Sequence, residues 1–198
     1  AIISIFLGEQ LTDIMGQLAN GGAKSSKQGG ELKLGVTTLP PLPKDSTDRN
    51  RTSPFAFTGN KFEFRMVGST MSTSGPNFTL NTMVADVLSD FADALDKAKD
   101  VKAAAQKILS EVATQNRRII FNGDNYTEDW LQEAQSRGLP NLVSSVDALL
   151  TIMDKEHVQL FKKHQVLSKT ELHARADILL EAYSKGVNIE AKTALSMA

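Results

Sequence analysis

Apolar residues recur along this chain with two different periods, and the change from one to the other falls near Gly75. From Phe62 to Met66 apolar and charged residues alternate. That puts Phe62, Phe64 and Met66 on one face of a strand and Lys61, Glu63 and Arg65 on the other. Gly59-Asn60 offers a turn back to Phe55-Ala56-Phe57, so the two runs predict a β-hairpin anchored in a core through its apolar face. Ala1–Phe6 reads as a buried strand and Glu9–Leu18 as a short amphipathic helix. Beyond Gly75 the spacing turns helical, with Leu80, Met83, Val84, Val87, Leu88, Phe91 and Leu95 on one stripe. One long helix is expected from about Asn77 to Asn116, with the charged Lys97–Lys102 as the place for a kink or break. A helix over Glu128–Arg137 is capped by Thr127 and stopped by Gly138 and Pro140. Further helices are expected over Val146–Met153, Lys155–His164 and Lys169–Ser184. Ser168 and Glu171 form a capping box for the last, Gly186 closes it, and Asn188 caps another.

Strands and helices segregate along the chain, which predicts an α+β fold: a short strand-rich N-terminal third and a mostly helical remainder. The expected division is 1–75 and 76–198. The 198 residues suffice for one sizeable core or two small ones. A net charge of −1 gives no general attraction to nucleic acid or to an anionic membrane. The chain has no cysteine, so disulfides, thiolate metal sites and cysteine nucleophiles are excluded, and a reducing cytoplasm is compatible. The chain opens on an apolar run without a methionine and stops inside a helical pattern. Both features suggest a piece of a longer protein.

The hairpin carries the densest candidate chemistry. Its charged face presents cation, anion, cation, and the turn before it carries Arg49 and Arg51. Arginine suits bidentate contact with phosphate or carboxylate. A solvated, salt-bridged strand face explains the same alternation, and both readings stay open on the pattern alone. The Gly-rich stretch Asn20–Gly35 is a loop by composition, expected to be mobile over Asn20–Gly30, and Pro40, Pro41 and Pro43 form a stiff connector. Gly22-Ala23-Lys24-Ser25 falls short of a phosphate-binding P-loop because glycine does not precede the lysine. His157 and His164 are too far apart on a helix to share a metal. Lys155, Lys162 and Lys163 read as a solvated face, and Asp86, Asp90 and Asp93 as an exposed stripe. Trp130 and Tyr126 are expected to anchor a helix start to the core. Ser53 has no histidine near it in sequence for a hydrolase triad.

The run Asn50-Arg51-Thr52-Ser53, with Lys61-Phe62-Glu63-Phe64-Arg65 and Gly75-Pro76-Asn77, resembles the late catalytic segment of glutamine synthetase. Arg51 through Arg65 is similar to the type III branch in particular. Ala1–Gly8 resembles the segment before that hairpin, and Phe121–Trp130 the C-terminal helical region. The resemblance implies an ATP-dependent ligase that joins ammonia to glutamate through a glutamyl-phosphate intermediate. It implies Glu63 as a ligand to Mg²⁺ or Mn²⁺, Arg65 as the contact to glutamate and the transferring phosphoryl group, and Arg51 as an ATP-phosphate contact. Ala56 stands where shorter members carry a second ATP-contacting arginine, and Arg49 or Lys61 is the candidate replacement. The family's other metal ligands lie upstream of this segment, so the chain alone is expected to be inactive. The resemblance further implies a cytoplasmic, ring-based homo-oligomer. A non-catalytic scaffold or oligomer-contact module is the alternative, resting on the helical two-thirds.

Overall fold

The computed structural model describes residues 2–22, 24–26, 31–32, 42–43, 50–69 and 71–198. They form the expected α+β fold. The elements are β1 (Ile5–Phe6), α1 (Gly8–Ala19), β2 (Glu31–Leu32), β3 (Leu42–Pro43), β4 (Phe55–Phe57) and β5 (Phe62–Phe64). Then come α2 (Ser74–Asp96), α3 (Val101–Gln115), α4 (Glu128–Ser136), α5 (Ser145–Leu150), α6 (Lys155–Lys163) and α7 (Lys169–Met197). The chain divides into two compact units. One comprises Ile2–Ser72 with Phe91–Pro140, and the other Thr73–Asp90 with Asn141–Ala198.

The first unit holds every described strand. β1 runs parallel to β4, and β4 pairs antiparallel with β5, giving the order β1-β4-β5. Ile120 adds a parallel bridge to Ile5 on the other side of β1. β2 and β3 form a separate two-stranded ladder in which Pro43 faces Glu31. The expected hairpin closes as the sequence suggests. The Thr58 amide donates to the Lys61 carbonyl at 2.8 Å, and Gly59 takes φ +92°, a conformation open to a residue without Cβ. α1 packs on α3. A core of Ile2, Trp130, Ala134 and Leu139 gathers Ile119 and Phe121 around it.

The sheet corrects one expectation. Cross-strand register puts Phe55, Phe57, Phe62 and Phe64 on one face, and Phe6, Ala56 and Glu63 on the other. The buried face is the second: Phe6 is 2% exposed and Ala56 0%, whereas Phe62, expected to be buried, is 49% exposed. The four phenylalanines shelter one another instead. Phe62 lies 5.4 Å from Phe55 and 5.2 Å from Phe57, and Phe64 meets Phe55 edge-on at 6.0 Å. Glu63 escapes the core on its own face because β5 is an edge strand of this sheet.

The second unit is helical. Phe161, Leu167 and Leu172 form its core with Phe78, Ile152 and Val158. Helix boundaries follow the sequence, including the break expected at Lys97–Lys102, with two changes further on. The long helix expected from Asn77 breaks in the charged stretch, where Asp100 caps α3 by accepting from the Ala103 amide. The helix expected over Val146–Met153 is α5 followed by a 3₁₀ turn, Thr151–Met153. α7 does not stop at Gly186 but runs on to Met197. The Ser168–Glu171 capping box is present in full. Tyr126, expected to help anchor α4, is 84% exposed, and Trp130 does the anchoring alone at 1%. Much of the Gly-rich stretch and of the proline connector, including Lys27–Gly30, Pro40 and Pro41, lies outside the described residues.

Candidate active site

The hairpin turns its charged row into a connected group. Glu63 accepts on both oxygens: Lys61 Nζ is 3.2 Å from Oε1, while Arg65 donates to Oε2 from Nη2 at 2.8 Å and from Nε at 3.2 Å. Arg65, and then Lys61, hold the Glu63 carboxyl below the usual carboxylate range, against a weaker opposing effect of partial desolvation. Glu63 is therefore an anion at neutral pH, with its side chain 37% exposed.

Arg65 is fixed at two further points. Its backbone amide donates to the Pro54 carbonyl at 2.8 Å, the closing contact of the hairpin. Its Nη1 donates to the carbonyl oxygen of Asn50. That carbonyl belongs to the peptide linking Asn50 to Arg51, so Arg65 and exposed Arg51 are joined through one planar group. The Asn50 side chain in turn accepts from the Thr52 amide at 2.8 Å and hydroxyl at 3.0 Å, and donates to the Gly123 carbonyl at 3.5 Å. Arg49 lies outside the described residues. Ala56 is fully buried and directly opposite Glu63, so a larger side chain there would have to displace the sheet's inner layer.

A metal is the first test of this arrangement. Glu63 offers a hard, anionic oxygen donor of the kind Mg²⁺ or Mn²⁺ takes. No group of three or more potential ligands occurs among the described residues, so Glu63 has no full ligand set within them. As a donor Glu63 fits such a cation, and the described residues do not by themselves complete its shell.

The remaining candidates are accounted for by structure. Ser53 is buried, and its hydroxyl donates to the Phe55 carbonyl at 3.1 Å. The Lys24 and Ser25 amides, which a phosphate loop would leave free, donate to Gln17 Oε1 on α1 at 2.8 and 3.2 Å. In the helical unit Lys163, expected on a solvated face, pairs with Asp86 at 2.7 Å and Asp90 at 3.3 Å, and His164 Nε2 lies 2.7 Å from Asp86. Two members of the expected acidic stripe are thus engaged by Lys163 at the end of α6, and Asp86 also by the following His164.

Sequence reasoning gave no role to the Phe121–Asn125 turn, which proves to be a tie. Asn122 Oδ1 accepts from the Leu7 and Gly8 amides at 3.1 and 3.2 Å, and its Nδ2 donates to Thr12 Oγ1 at 2.8 Å. Asn125 and Ser4 are joined at 2.6 Å, with the Ser4 hydroxyl donating. These contacts span more than a hundred residues, and only the density of Asn and Gly in one turn signals them.

Over residues 104–198 the chain matches the family model of the glutamine synthetase C-terminal domain. It is 44% identical over 196 residues to the type-3 glutamine synthetase of Dictyostelium discoideum, which covers 98% of this chain and 27% of that protein. It is 38% identical over 200 residues to a glutamine synthetase of Bacteroides fragilis, covering 97% of the chain and 27% of the relative. A glutamine synthetase of Butyrivibrio fibrisolvens is 35% identical over 207 residues, covering 100% and 28%. The chain belongs to the glutamine synthetase family and spans a little over a quarter of the length of these relatives. Its similarity to the relative named as type 3 extends over nearly every residue.

Proposed function

We propose that this chain is the segment of a glutamine synthetase that carries one wall of the active site, and that the whole protein converts glutamate, ammonia and ATP to glutamine, ADP and phosphate through glutamyl phosphate. In this reading residues 1–75 are the last part of the catalytic domain and 76–198 the helical C-terminal region. The observation that carries it is the hairpin row: one carboxylate, Glu63, is matched by Lys61 and Arg65, with Arg51 one peptide away from the Arg65 contact. Three cations to one carboxylate leave positive charge for an anionic ligand.

Phosphoryl transfer asks the protein for positioning and charge neutralisation rather than covalent chemistry. Arg65 presents the planar fork that fits a carboxylate or phosphoryl group, and its donors now spent on Glu63 are the ones that turn to substrate. Arg51, with Arg49 or Lys61, binds the ATP phosphates. Glu63 supplies one oxygen to a Mg²⁺ or Mn²⁺, whose charge offsets that of the phosphates when it is bound. The other ligands come from the rest of the protein, so the 198-residue chain alone forms no glutamine. Contact between subunits of a ring-based homo-oligomer is a compatible role for the helical units, supported by Ile178 and Ile189 on α7, each 64% exposed. No described helix is long and apolar enough to cross a membrane, and a cytoplasmic setting fits the lack of cysteine.

The test is substitution in the full-length protein. Glu63→Gln keeps shape but removes charge beside the cation. Activity is expected to fall by roughly 10²-fold or more, with the metal requirement moved to higher concentration. Arg65→Lys is expected to be as severe, since an ammonium cannot reproduce the fork. Near-normal glutamine synthesis by Glu63→Gln, with an unchanged melting curve, would reduce this face to a salt-bridged surface.

A further inference from the structure

The contacts of Asn50 reach beyond its own turn. Its carbonyl holds Arg65 Nη1, its Oδ1 holds Thr52, and its Nδ2 reaches the Gly123 carbonyl, 73 residues away in sequence. Gly123 is itself immobilised. A Cβ built on it would lie 2.5 Å from Phe121 Cζ, so the backbone rests directly on that ring. Phe121 stacks on buried Trp130 with centroids 3.9 Å apart. On either side of Gly123, Asn122 is bound to the start of α1 and Asn125 to Ser4 next to β1. The acceptor for Asn50 thus sits on a turn packed against the core and tied at both flanks. It lies within the region matched by the C-terminal domain, whereas the hairpin lies outside it.

We infer that Asn50 is a positioning residue: anchored on Gly123, it sets the Asn50–Arg51 peptide and through it the guanidinium of Arg65 and the start of Arg51. The inference rests on the active-site reading above and adds how the C-terminal domain takes part in that site. Asn50 touches no reacting group. It acts because the peptide it holds is both an acceptor for Arg65 and the backbone of Arg51.

The test uses Asn50→Ser in the full-length protein. A serine hydroxyl still accepts from Thr52, as in an ST-turn, but is too short to reach Gly123. The expected result is a loss of about 10- to 100-fold in kcat/KM for glutamate, the scale of a small misplacement of a reacting partner, with a nearly unchanged melting temperature. Gly123→Ala, which moves the anchor and leaves Asn50 intact, is expected to give the same kinetic signature. The decisive measurement is the Asn50→Ser, Arg65→Lys double variant. If Asn50 acts through Arg65, the second change adds little to the loss already caused by Arg65→Lys. Wild-type kinetics for Asn50→Ser, or an undiminished effect in the Arg65→Lys background, overturns the inference and leaves the active-site reading standing. Full activity of Arg65→Lys alone overturns the active-site reading, and this inference with it.

Discussion

Each of the two units of this protein carries a cluster of charges, and the clusters look alike until their balance is counted. On the hairpin, Glu63 meets Lys61 at 3.2 Å and Arg65 at 2.8 Å. In the helical unit, Asp86 meets Lys163 and His164, both at 2.7 Å. In both, hydrogen bonds from neighbouring side chains hold the carboxyl below its usual range: Arg65 then Lys61 for Glu63, Lys163 then His164 for Asp86. A shifted carboxylate therefore reports donors nearby and does not by itself mark a functional site. The clusters differ in what remains after pairing. In the helical unit Lys163 is shared by two carboxylates, Asp86 and Asp90, with His164 as a further partner of Asp86. The hairpin sets three cations against one carboxylate and ties its backbone to a rigid turn. The first arrangement fastens α2 to α6, and the second leaves cations in excess of carboxylate, which is what the proposed ligand role requires.

The largest expected effect tests that contrast directly. In the full-length protein Asp86→Asn is expected to leave kcat within about twofold of wild type, as removal of a surface ion pair should, while Glu63→Gln costs roughly 10²-fold. Steady-state glutamine formation measures both, and comparable losses in the two variants would erase the distinction. A smaller effect separates the packing of the units. Gly123→Ala drives a methyl into the Phe121 ring and is expected to cost about 1–3 kcal/mol in urea unfolding. Gly186→Ala, inside α7 with no atom within 4 Å of the added Cβ, is expected to stabilise by roughly 0.5–1 kcal/mol. Opposite signs are the point of that pair, and a destabilising Gly186→Ala would mean that α7 is packed where it looks open.

Which parts were legible follows from the range of the forces involved. Caps are local, and Thr127 and the Ser168–Glu171 box are where the sequence puts them, accepting from Trp130 and Glu171 amides. Gly186 misleads because glycine ends a helix only when the chain adopts a left-handed turn there, as Gly138 does at φ +67°; Gly186 stays helical at a modest cost. The alternation of the hairpin correctly separates Phe62 and Phe64 from Glu63, but alternation cannot say which face is inward. That depends on Ile2, Ser4 and Phe6, which β1 and the residues before it bring in from another part of the sequence. The ties made by Asn50, Asn122 and Asn125 were out of reach for the same reason. An asparagine in a turn satisfies itself locally as readily as it bonds across the fold, and only coordinates distinguish the two.

The smallest effect is in acid, and it sharpens the comparison by failing to distinguish the clusters. Asp86 and Glu63 both have folded-state values below their unfolded ones. Each therefore adds stability that is fully present above the ordinary carboxylate range and is lost as pH falls through the folded value. For Asp86 the groups facing the carboxylate are Lys163 and His164, with Asp90 sharing the lysine. The stability gap between wild type and Asp86→Asn is expected to hold from about pH 5 to neutrality and to narrow as pH falls below the ordinary aspartate value. Lys163, raised by Asp86 and then Asp90, adds an alkaline limb of opposite sense: its share is present below the ordinary lysine value and fades as pH rises beyond it. Glu63→Gln is expected to trace the same acid limb, small because both carboxylates are open to solvent. Denaturation followed from pH 3 to 7 should thus give two nearly superimposable difference curves, while activity at pH 7 separates the variants by orders of magnitude. An acid limb for Glu63→Gln much larger than that for Asp86→Asn would show that the hairpin carboxylate supports the fold, and would assign part of its activity loss to structure.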